Sequence, residues 1–258
     1  MKKKPKFGAS YSVFNGLELL ETSLRSIRSS CDYINIVYSD ESWYGEKSPA
    51  KVRPILEDLV SRGLADEILE YKVDPKIHPK SNEIKKRNVG MRAALHVGCD
   101  YLMSVDADEC YIASELEMMK KEIIERGITH SYVCSLRYKS ATEMYVPFGE
   151  MYPEYTQTFC KINRFSKFGG SKRKMVALVD PSRRISNRLQ MQKHWMFMHI
   201  YQHHYLGYRK DIDGKFRNAA LAMTPSANKT RRALWASQQT VKVENIFNLP
   251  IFKQRKIS

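Results

Sequence analysis

The stretch that decides the fold is residues 101–111, which read YLMSVDADECY. Its first five residues are mostly apolar, and two carboxylates, Asp106 and Asp108, follow with one residue between them. This pattern predicts a buried strand that delivers both aspartates to its carboxyl end. Two carboxylates at this spacing can hold a hard divalent cation while coordination positions stay open for diphosphate oxygens. An acidic turn without a ligand is the simpler alternative, because two aspartates one residue apart are a weak motif.

Upstream of this stretch, strands and helices alternate. Apolar residues at helical spacing and β-rich runs predict, in chain order, a strand at 7–13, a helix at 17–30, a strand at 33–38, a helix at 48–63, a strand at 67–73 and a helix at 82–97. Such alternation predicts a mostly parallel sheet with helices on both faces. Ligands bind beyond the carboxyl ends of the strands in sheets of this kind. We therefore expect residues 11–15 and 39–42 to lie beside Asp106.

Downstream the pattern is less regular. It predicts a helix at 115–126, a strand at 131–136, a functional loop at 140–158, strands at 159–165, 175–180 and 194–201, and basic helices at 208–223 and 230–241. The length of 258 residues suits one domain.

Charge is distributed unevenly along the chain. The formal net charge is +15, with +17 in residues 161–258 and −2 in residues 1–160. A one-sided positive field favours an anionic partner, such as a nucleotide diphosphate, an acidic glycan, a lipid surface or nucleic acid. A solvated basic face that only aids solubility is the alternative.

Targeting signals are not evident in the sequence. It has no apolar run long enough to span a membrane, and its start, MKKKPKFG, lacks an apolar signal core. The five cysteines are scattered without metal or redox spacing, which is typical of reduced thiols. These features predict a cytoplasmic protein, with peripheral membrane contact through residues 247–256 as a further expectation.

Several of these features together resemble the GT-A fold glycosyltransferases, especially the family 2-like group. They are the helix at 17–30, the polar SDES turn at 39–42, the segment KRNVG at 86–90 and the DAD at 106–108. The resemblance covers roughly residues 7–111. It implies a GT-A (nucleotide-diphospho-sugar transferase) fold, with a Rossmann-like, mostly parallel mixed sheet flanked by helices. It also implies a nucleotide-sugar donor, a UDP- or GDP-sugar, bound with Mn²⁺ or Mg²⁺.

The resemblance also implies roles for single residues. Asp106 and Asp108 would face the metal and the diphosphate, and Asp40 would lie near the nucleoside. The remaining candidates for donor contact are Tyr11, Asn15, Arg87, Asn88 and Lys210. Alternatives stay open, since Asp40 could cap a turn and Arg87 could be a surface ion-pair partner.

A late histidine cluster consists of His199, near the end of the strand predicted at 194–201, and of His203 and His204, just past it. In several metal-dependent GT-A enzymes a late histidine binds the metal, and HHYLGYRKDI resembles that segment. Imidazole suits manganese. We expect His203 or His204 to be the ligand, with a packed histidine pair as the alternative.

An inverting transfer would require a carboxylate base within hydrogen-bond reach of the acceptor hydroxyl. The candidates are Glu150 and Glu154 in the loop and Asp180. A retaining enzyme would need no such base, so the stereochemistry stays open.

The sequence therefore predicts a single GT-A domain with a donor half at about 1–111, an acceptor half at about 112–228 and a basic helix and tail at 229–258. The expected activity is metal-dependent transfer of a sugar from a nucleotide-sugar to a glycan, lipid-linked or protein acceptor. One alternative is a nucleic-acid or anionic-membrane binding module that uses the basic segment. The other is a sugar-phosphate nucleotidyltransferase, which usually has a Gly- and Arg-rich loop that residues 8–16 (GASYSVFNG) lack.

Overall fold

The computed structural model describes residues 4–48, 51–146, 154–169, 179–187, 192–208 and 238–251. Their strands are β1 Phe7–Val13, β2 Tyr33–Tyr38, β3 Glu67–Glu70, β4 Tyr101–Asp106, β5 Glu109–Cys110, β6 His130–Ser140, β7 Glu143–Tyr145, β8 Tyr155–Lys161, β9 Lys167–Phe168, β10 Ile185–Ser186, β11 His194–His204 and β12 Thr240–Lys242. Their helices are α1 Leu20–Arg28, α2 Val52–Ser61, α3 Pro79–His96 and α4 Ala113–Arg126, with 3₁₀ turns at Leu17–Leu19 and Pro181–Arg183.

Strands β4, β1, β2 and β3 lie side by side in parallel, and we call them the parallel half. Their register aligns Ser12 of β1 with Asp106, and Val13 with Tyr38 of β2. Three carboxyl ends therefore meet at one edge. One face of the sheet packs against α1, α2 and α4, and the other packs against α3.

The sheet continues with antiparallel strands beyond β4. Strand β8 pairs antiparallel with β4 and β6, while β11 runs parallel to β6 and antiparallel to β5. We call β6, β8 and β11 the mixed half. The predicted fold class is confirmed: a mixed α/β sheet, parallel at its centre and flanked by helices.

Helix α3 approaches the sheet very closely at Gly90. A Cβ on Gly90 would lie 1.9 Å from Ser10 Oγ and 2.7 Å from Asn35 Oδ1. Ser10 donates to Asn35 at 2.7 Å, and the Asn35 amide donates to the Gly90 carbonyl at 2.9 Å. Because a glycine permits this approach, the preceding turn of α3 reaches the carboxyl ends of β1, β2 and β4.

Several predicted boundaries were wrong. Strand β11 continues to His204, because His203 and His204 pair with β5, so these histidines lie within a strand and not beyond it. Residues 140–145 were predicted to belong to a loop, but they end β6 and form β7. The strand predicted at 159–165 is the end of β8, which stops at Lys161. Thr240–Lys242 forms a strand paired with β7, so the helix predicted at 230–241 does not extend to its predicted end.

Other predictions lie outside the described residues. They are the helix at 208–223 after its first residue, most of the helix at 230–241, and the strand at 175–180 up to residue 178. Among the helices that the structure describes, none combines the length and apolar character needed to cross a bilayer.

Candidate functional site

The turn after β4 carries the two central aspartates, and it is fixed from both sides. The Asp106 amide donates to Glu109 Oε2 at 3.0 Å, and the Tyr205 amide donates to the Asp108 carbonyl at 2.8 Å. The first bond closes the turn on itself, while the second ties it to the end of β11. Asp108 is only 2% exposed. The DAD turn is therefore held rigidly by both halves of the sheet.

Two arginines flank Asp106: Arg87 is buried, and Arg183 has 10% of its side chain exposed. Arg87 of α3 donates to Asp106 Oδ1 at 2.9 Å and to Ser104 Oγ at 2.6 Å. Arg183 is the last residue of the distant 3₁₀ turn Pro181–Arg183, and its guanidinium lies 3.6 Å from Asp106 Oδ2. Although burial alone would raise the pKa of the Asp106 carboxyl, Arg87 and Arg183 hold it below its usual value. Asp106 therefore stays ionised.

Arg183 also binds the acid that closes the turn. It donates to both carboxylate oxygens of Glu109, at 2.7 Å for Oε2, and to the Ser104 carbonyl at 2.7 Å. Glu109 has no exposed surface. Burial opposes the charge on Arg183, yet Glu109 and Asp106 raise its pKa well above the ordinary value. Arg183 was not among the residues predicted from sequence, since an arginine pair in the segment DPSRR at 180–184 carries no recognisable signal.

The two candidate histidines point to opposite faces of β11, as alternation requires. The His204 Nε2 atom lies 3.6 Å from Asp108 Oδ1. His203 Nδ1 instead hydrogen-bonds the Tyr138 hydroxyl at 2.8 Å, and its ring contacts Phe247. Burial lowers the pKa of His203 to about 4. His204 is thus the histidine that shares a face with Asp108.

A cavity of about 340 Å³ lies between the two halves. Five of the residues predicted from sequence line it: Arg87, Asp106, Glu154, Asp180 and His204. Lining residues that sequence reasoning missed include Glu83, Ser135, Arg137, Thr156, Arg183 and Gln202. The alternation of Gln202 with His204 on β11 could have indicated Gln202. The others depend on strand pairings that a single sequence does not reveal.

The two acids described among the candidate bases differ in their partners. Asp180 pairs with Lys80 at 2.8 Å and accepts from the Ser182 hydroxyl at 2.7 Å. Although burial opposes ionisation, these partners lower its pKa to about 2. Such a carboxylate is a weak general base at neutral pH. Glu154 is half exposed and pairs with Arg137 at the cavity.

The remaining predicted residues lie apart from the cavity or outside the described chain. The Tyr11 hydroxyl is buried in the core against Ser23, at 2.9 Å. Asn88 ties α3 to Phe168, whose amide donates to its side chain at 3.0 Å. Asn15 and Asp40 follow β1 and β2, half-buried and exposed respectively. Glu150 and Lys210 lie outside the described residues.

A buried lysine links the ends of β1 and β2. Lys86 Nζ donates to the Val13 carbonyl at 2.5 Å and to Ser39 Oγ at 3.0 Å, and it lies 5.5 Å from the centre of the Trp43 ring. Burial, with a smaller effect from Arg87, lowers its pKa to about 7. Sequence reasoning named Arg87 but not its neighbour Lys86.

Comparisons with known proteins give structural likeness only. Neither a protein-family model nor a curated protein matches the chain. Among solved structures, S. aureus TarS is matched over 51% of this chain and 22% of that chain, at 18% identity and a TM-score of 0.38.

The structure of S. aureus TarS 1-349 in complex with UDP is matched over 58% of this chain and 38% of that one, at 16% identity and a TM-score of 0.40. The complex of the same protein with UDP-GlcNAc is matched over 58% of this chain and 37% of that one, at 17% identity and a TM-score of 0.40. The chain thus spans between 22% and 38% of the length of these proteins. TM-scores this low identify neither a function nor a site.

Proposed function

We propose that this protein is an enzyme that binds a nucleotide diphosphate at the carboxyl edge of the parallel half. Within that class we propose a metal-dependent glycosyltransferase, which moves a sugar from a nucleotide-sugar to an acceptor hydroxyl. The observation that carries the proposal is the contact between Asp108 and His204, whose side chains lie 3.6 Å apart. They lie beside Asp106, which is held by its ion pair with Arg87. An acidic turn without a ligand would not require a histidine from a distant strand.

The side chains at this turn fit a divalent cation in part. No three described His, Cys, Asp or Glu side chains form a ready metal site. Asp106 is committed to Arg87 at 2.9 Å, so Asp108 and His204 are the pair that would hold the ion. A carboxylate with an imidazole suits Mn²⁺, and diphosphate oxygens and water would complete its shell. A cation held there would neutralise the leaving nucleotide diphosphate.

The chain's own residues would orient the donor. Arg87 and Arg183 fix the ionised Asp106, and the turn bond to Tyr205 fixes Asp108. Lys86 holds the ends of β1 and β2 together at the edge where a nucleoside would lie. Groups that are fixed before the reaction cost no reorganisation during it. The arrangement therefore suits electrostatic stabilisation of a departing diphosphate.

Of the two described candidates for a base, Glu154 is better suited than Asp180. It too is paired with a cation, Arg137, but its half-exposed position at the cavity leaves it accessible to an acceptor. Asp180, with its pKa of about 2, is tied to Lys80. We therefore favour Glu154 if the transfer inverts the anomeric configuration.

The test is thermal unfolding with UDP, GDP, CMP, dTDP and UDP-GlcNAc, each with Mn²⁺ or with chelator. A ligand at a hundredfold excess over Kd stabilises the folded state by about 2.7 kcal/mol, a shift of a few degrees. We expect one nucleotide to raise Tm only with metal, and Asp108→Ala to abolish that shift.

The matched control is Glu117→Ala, which removes one exposed carboxylate from α4 and should leave the shift intact. If no nucleotide raises Tm, the proposal is wrong. In that case, salt-dependent binding of RNA or anionic vesicles that survives Asp108→Ala would favour the binding-module alternative.

A further inference from the structure

The turn between β8 and β9 carries an exposed aromatic ring among cations. Phe165 is 49% exposed, and Lys161, Arg164 and Lys167 are exposed around it. None of these three cations forms an ion pair with an acid in the part of the chain that the structure describes. From residue 161 to 179 the sequence has six Lys and Arg and no Asp or Glu. We call residues 161–167 the basic turn.

Hydrogen bonds fix the backbone of the basic turn. The Phe165 amide donates to Asn163 Oδ1 at 2.9 Å, and the Ser166 amide donates to the Asn163 carbonyl at 2.8 Å. The Asn163 amide in turn donates to the Ser166 hydroxyl at 2.9 Å. Because the turn is ordered before any partner arrives, binding through Phe165 costs less conformational entropy than binding through a flexible loop.

The turn between α3 and β4 lies beside the basic turn and extends the same surface. The Ile162 amide donates to the Asp100 carbonyl at 2.9 Å, which joins the two turns. Val97 is 37% exposed there, and Lys6 Nζ donates to its carbonyl at 3.0 Å. The Asp100 carboxylate accepts from the Lys6 amide at 2.8 Å. A second exposed apolar side chain and a further cation thus lie next to Phe165.

Helix α3 adds another cation to this surface. Asn88 accepts from the Phe168 amide at 3.0 Å, so β9 lies against this face of the helix. Arg92 is exposed and follows Asn88 by one helical turn, which places it on the same face. The surface therefore combines two exposed apolar side chains with cations from three elements.

This combination complements an anionic lipid surface. Cations bind the phosphates of the headgroups, while apolar side chains enter the boundary between headgroups and acyl chains. A basic face that only aids solubility would not require a phenyl ring held in water by an ordered turn. Nucleic acid fits less well, because bases stack on open ring faces and the Arg164 guanidinium lies over Phe165, 4.6 Å from the centre of its ring.

The basic turn lies at the opposite edge of the sheet from the cavity. Strand β8 runs antiparallel to β4, and Lys161 pairs with Tyr101 at the amino end of β4. The cavity lies beyond the other end, at Asp106. A strand of six residues spans about 20 Å. A bilayer that contacts the basic turn therefore leaves the cavity open to water.

We propose that the basic turn docks this protein on an anionic lipid surface, with Phe165 at the level of the headgroups. This surface is separate from the tail at 247–256, for which the sequence predicts membrane contact. The inference goes beyond the proposed glycosyltransferase activity and does not depend on it.

Co-sedimentation with lipid vesicles tests the proposal. The probes are vesicles of phosphatidylcholine alone and with about 30 mol% phosphatidylglycerol, in about 0.1 M salt. We expect the wild type to bind only the anionic vesicles. Arg164→Gln combined with Lys167→Gln should weaken binding about 25-fold, since each cation near such a surface contributes about fivefold. Phe165→Ser should weaken it about fivefold, because the exposed half of the ring no longer leaves water.

The matched control is Lys72→Gln combined with Lys76→Gln. These two lysines are exposed between β3 and α3, at the carboxyl edge of the sheet, so the net charge falls by the same amount. We expect this control to bind anionic vesicles within about twofold of the wild type. All of these side chains are exposed, so every variant should keep the wild-type Tm.

Several results would overturn the proposal. One is the absence of wild-type binding to anionic vesicles, and another is equal weakening in the two double variants, since net charge alone would then explain binding. A third is loss of binding in Lys253→Gln with Arg255→Gln and Lys256→Gln while the variants of the basic turn still bind, which would place the contact in the tail. Binding of single-stranded oligo(U) through the basic turn without binding of vesicles would assign the turn to nucleic acid instead.

Discussion

The two walls of the cavity differ in the charge of their polar groups. In the parallel half, Asp106 and the arginines around it pair with one another inside the protein. In the mixed half, the hydroxyls of Ser135 and Thr156 have no partner among the described residues. The Nε atoms of Arg87 and Arg183 in the first wall are buried without a partner as well. The walls therefore differ chiefly in charge, since the first concentrates a network of ion pairs, whereas the second sets the pair of Arg137 and Glu154 among neutral hydroxyl and amide groups.

Arg183 offers the strongest test of this comparison, because it comes from the 3₁₀ turn between β9 and β10 and pairs with the turn after β4. Arg183→Met would leave the Glu109 carboxylate, which has no exposed surface, without its cation. We expect a loss of about 3–5 kcal/mol in the free energy of unfolding, measured with urea. Arg25→Met, which removes an exposed pair with Glu21, should cost under about 1 kcal/mol. Equal losses of unfolding free energy in the two variants would show that Arg183 does not stabilise the turn after β4.

Two glycines test how tightly each half is packed. A Cβ on Gly207, in the turn after β11, would lie 2.6 Å from the Lys139 carbonyl oxygen and 2.9 Å from its Cα atom. On Gly90 it would lie 1.9 Å from Ser10 Oγ and 2.7 Å from Asn35 Oδ1, which are buried and hydrogen-bonded to each other and so cannot move aside without breaking that bond. Overpacking costs about 1–3 kcal/mol, and we expect Gly90→Ala and Gly207→Ala each to fall near the top of that range. Denaturant unfolding of the two variants measures both losses, and a loss under about 1 kcal/mol for either would contradict the close approach at that glycine.

Lys86 should give the parallel half its own pH dependence. Its folded pKa is lowered to about 7 by burial, whereas an unfolded lysine titrates near 10.4. Between these values the unfolded chain binds more protons, so the stability of the wild type rises with pH; below about pH 7 the penalty is fully present.

Lys86→Met removes this dependence. The stability of wild type relative to the variant should therefore increase by roughly 2 kcal/mol from pH 7 to 9. Urea unfolding at several pH values measures it. A difference that stays constant with pH would mean that Lys86 keeps its ordinary pKa in the fold.

The two histidines at the end of β11 lie where the two halves meet, and they test which face of that strand holds the metal. His204 faces Asp108 at 3.6 Å, while His203 faces Tyr138. His204→Gln should weaken Mn²⁺-dependent nucleotide binding at least about tenfold, as loss of a group at a metal site does. His203→Gln makes the same chemical change on the opposite face and should leave the affinity unchanged, although it should lower stability. Titration with Mn²⁺ and UDP measures both, and equal affinities would exclude His204 as a ligand.

The sequence by itself determined the parallel half. Alternating strand and helix patterns predicted β1, β2, β4 and α3 because those patterns are local, and the apolar run before Asp106 placed both aspartates at a strand end. The sequence shows Gly90 as part of the KRNVG segment. Only the structure shows why a glycine is needed there, since a Cβ at this position would lie 1.9 Å from Ser10 Oγ.

Only the tertiary structure decided the second wall. Ser135, Thr156 and Gln202 became neighbours through strand pairings that join segments far apart in the chain, and such pairings leave no periodic trace. The same holds for Arg183, whose meeting with Glu109 depends on how the later chain returns over the sheet. Local periodicity is set by backbone geometry and burial and can be read from neighbours in sequence, whereas the partner of a strand edge or a buried charge is fixed by packing of the whole domain.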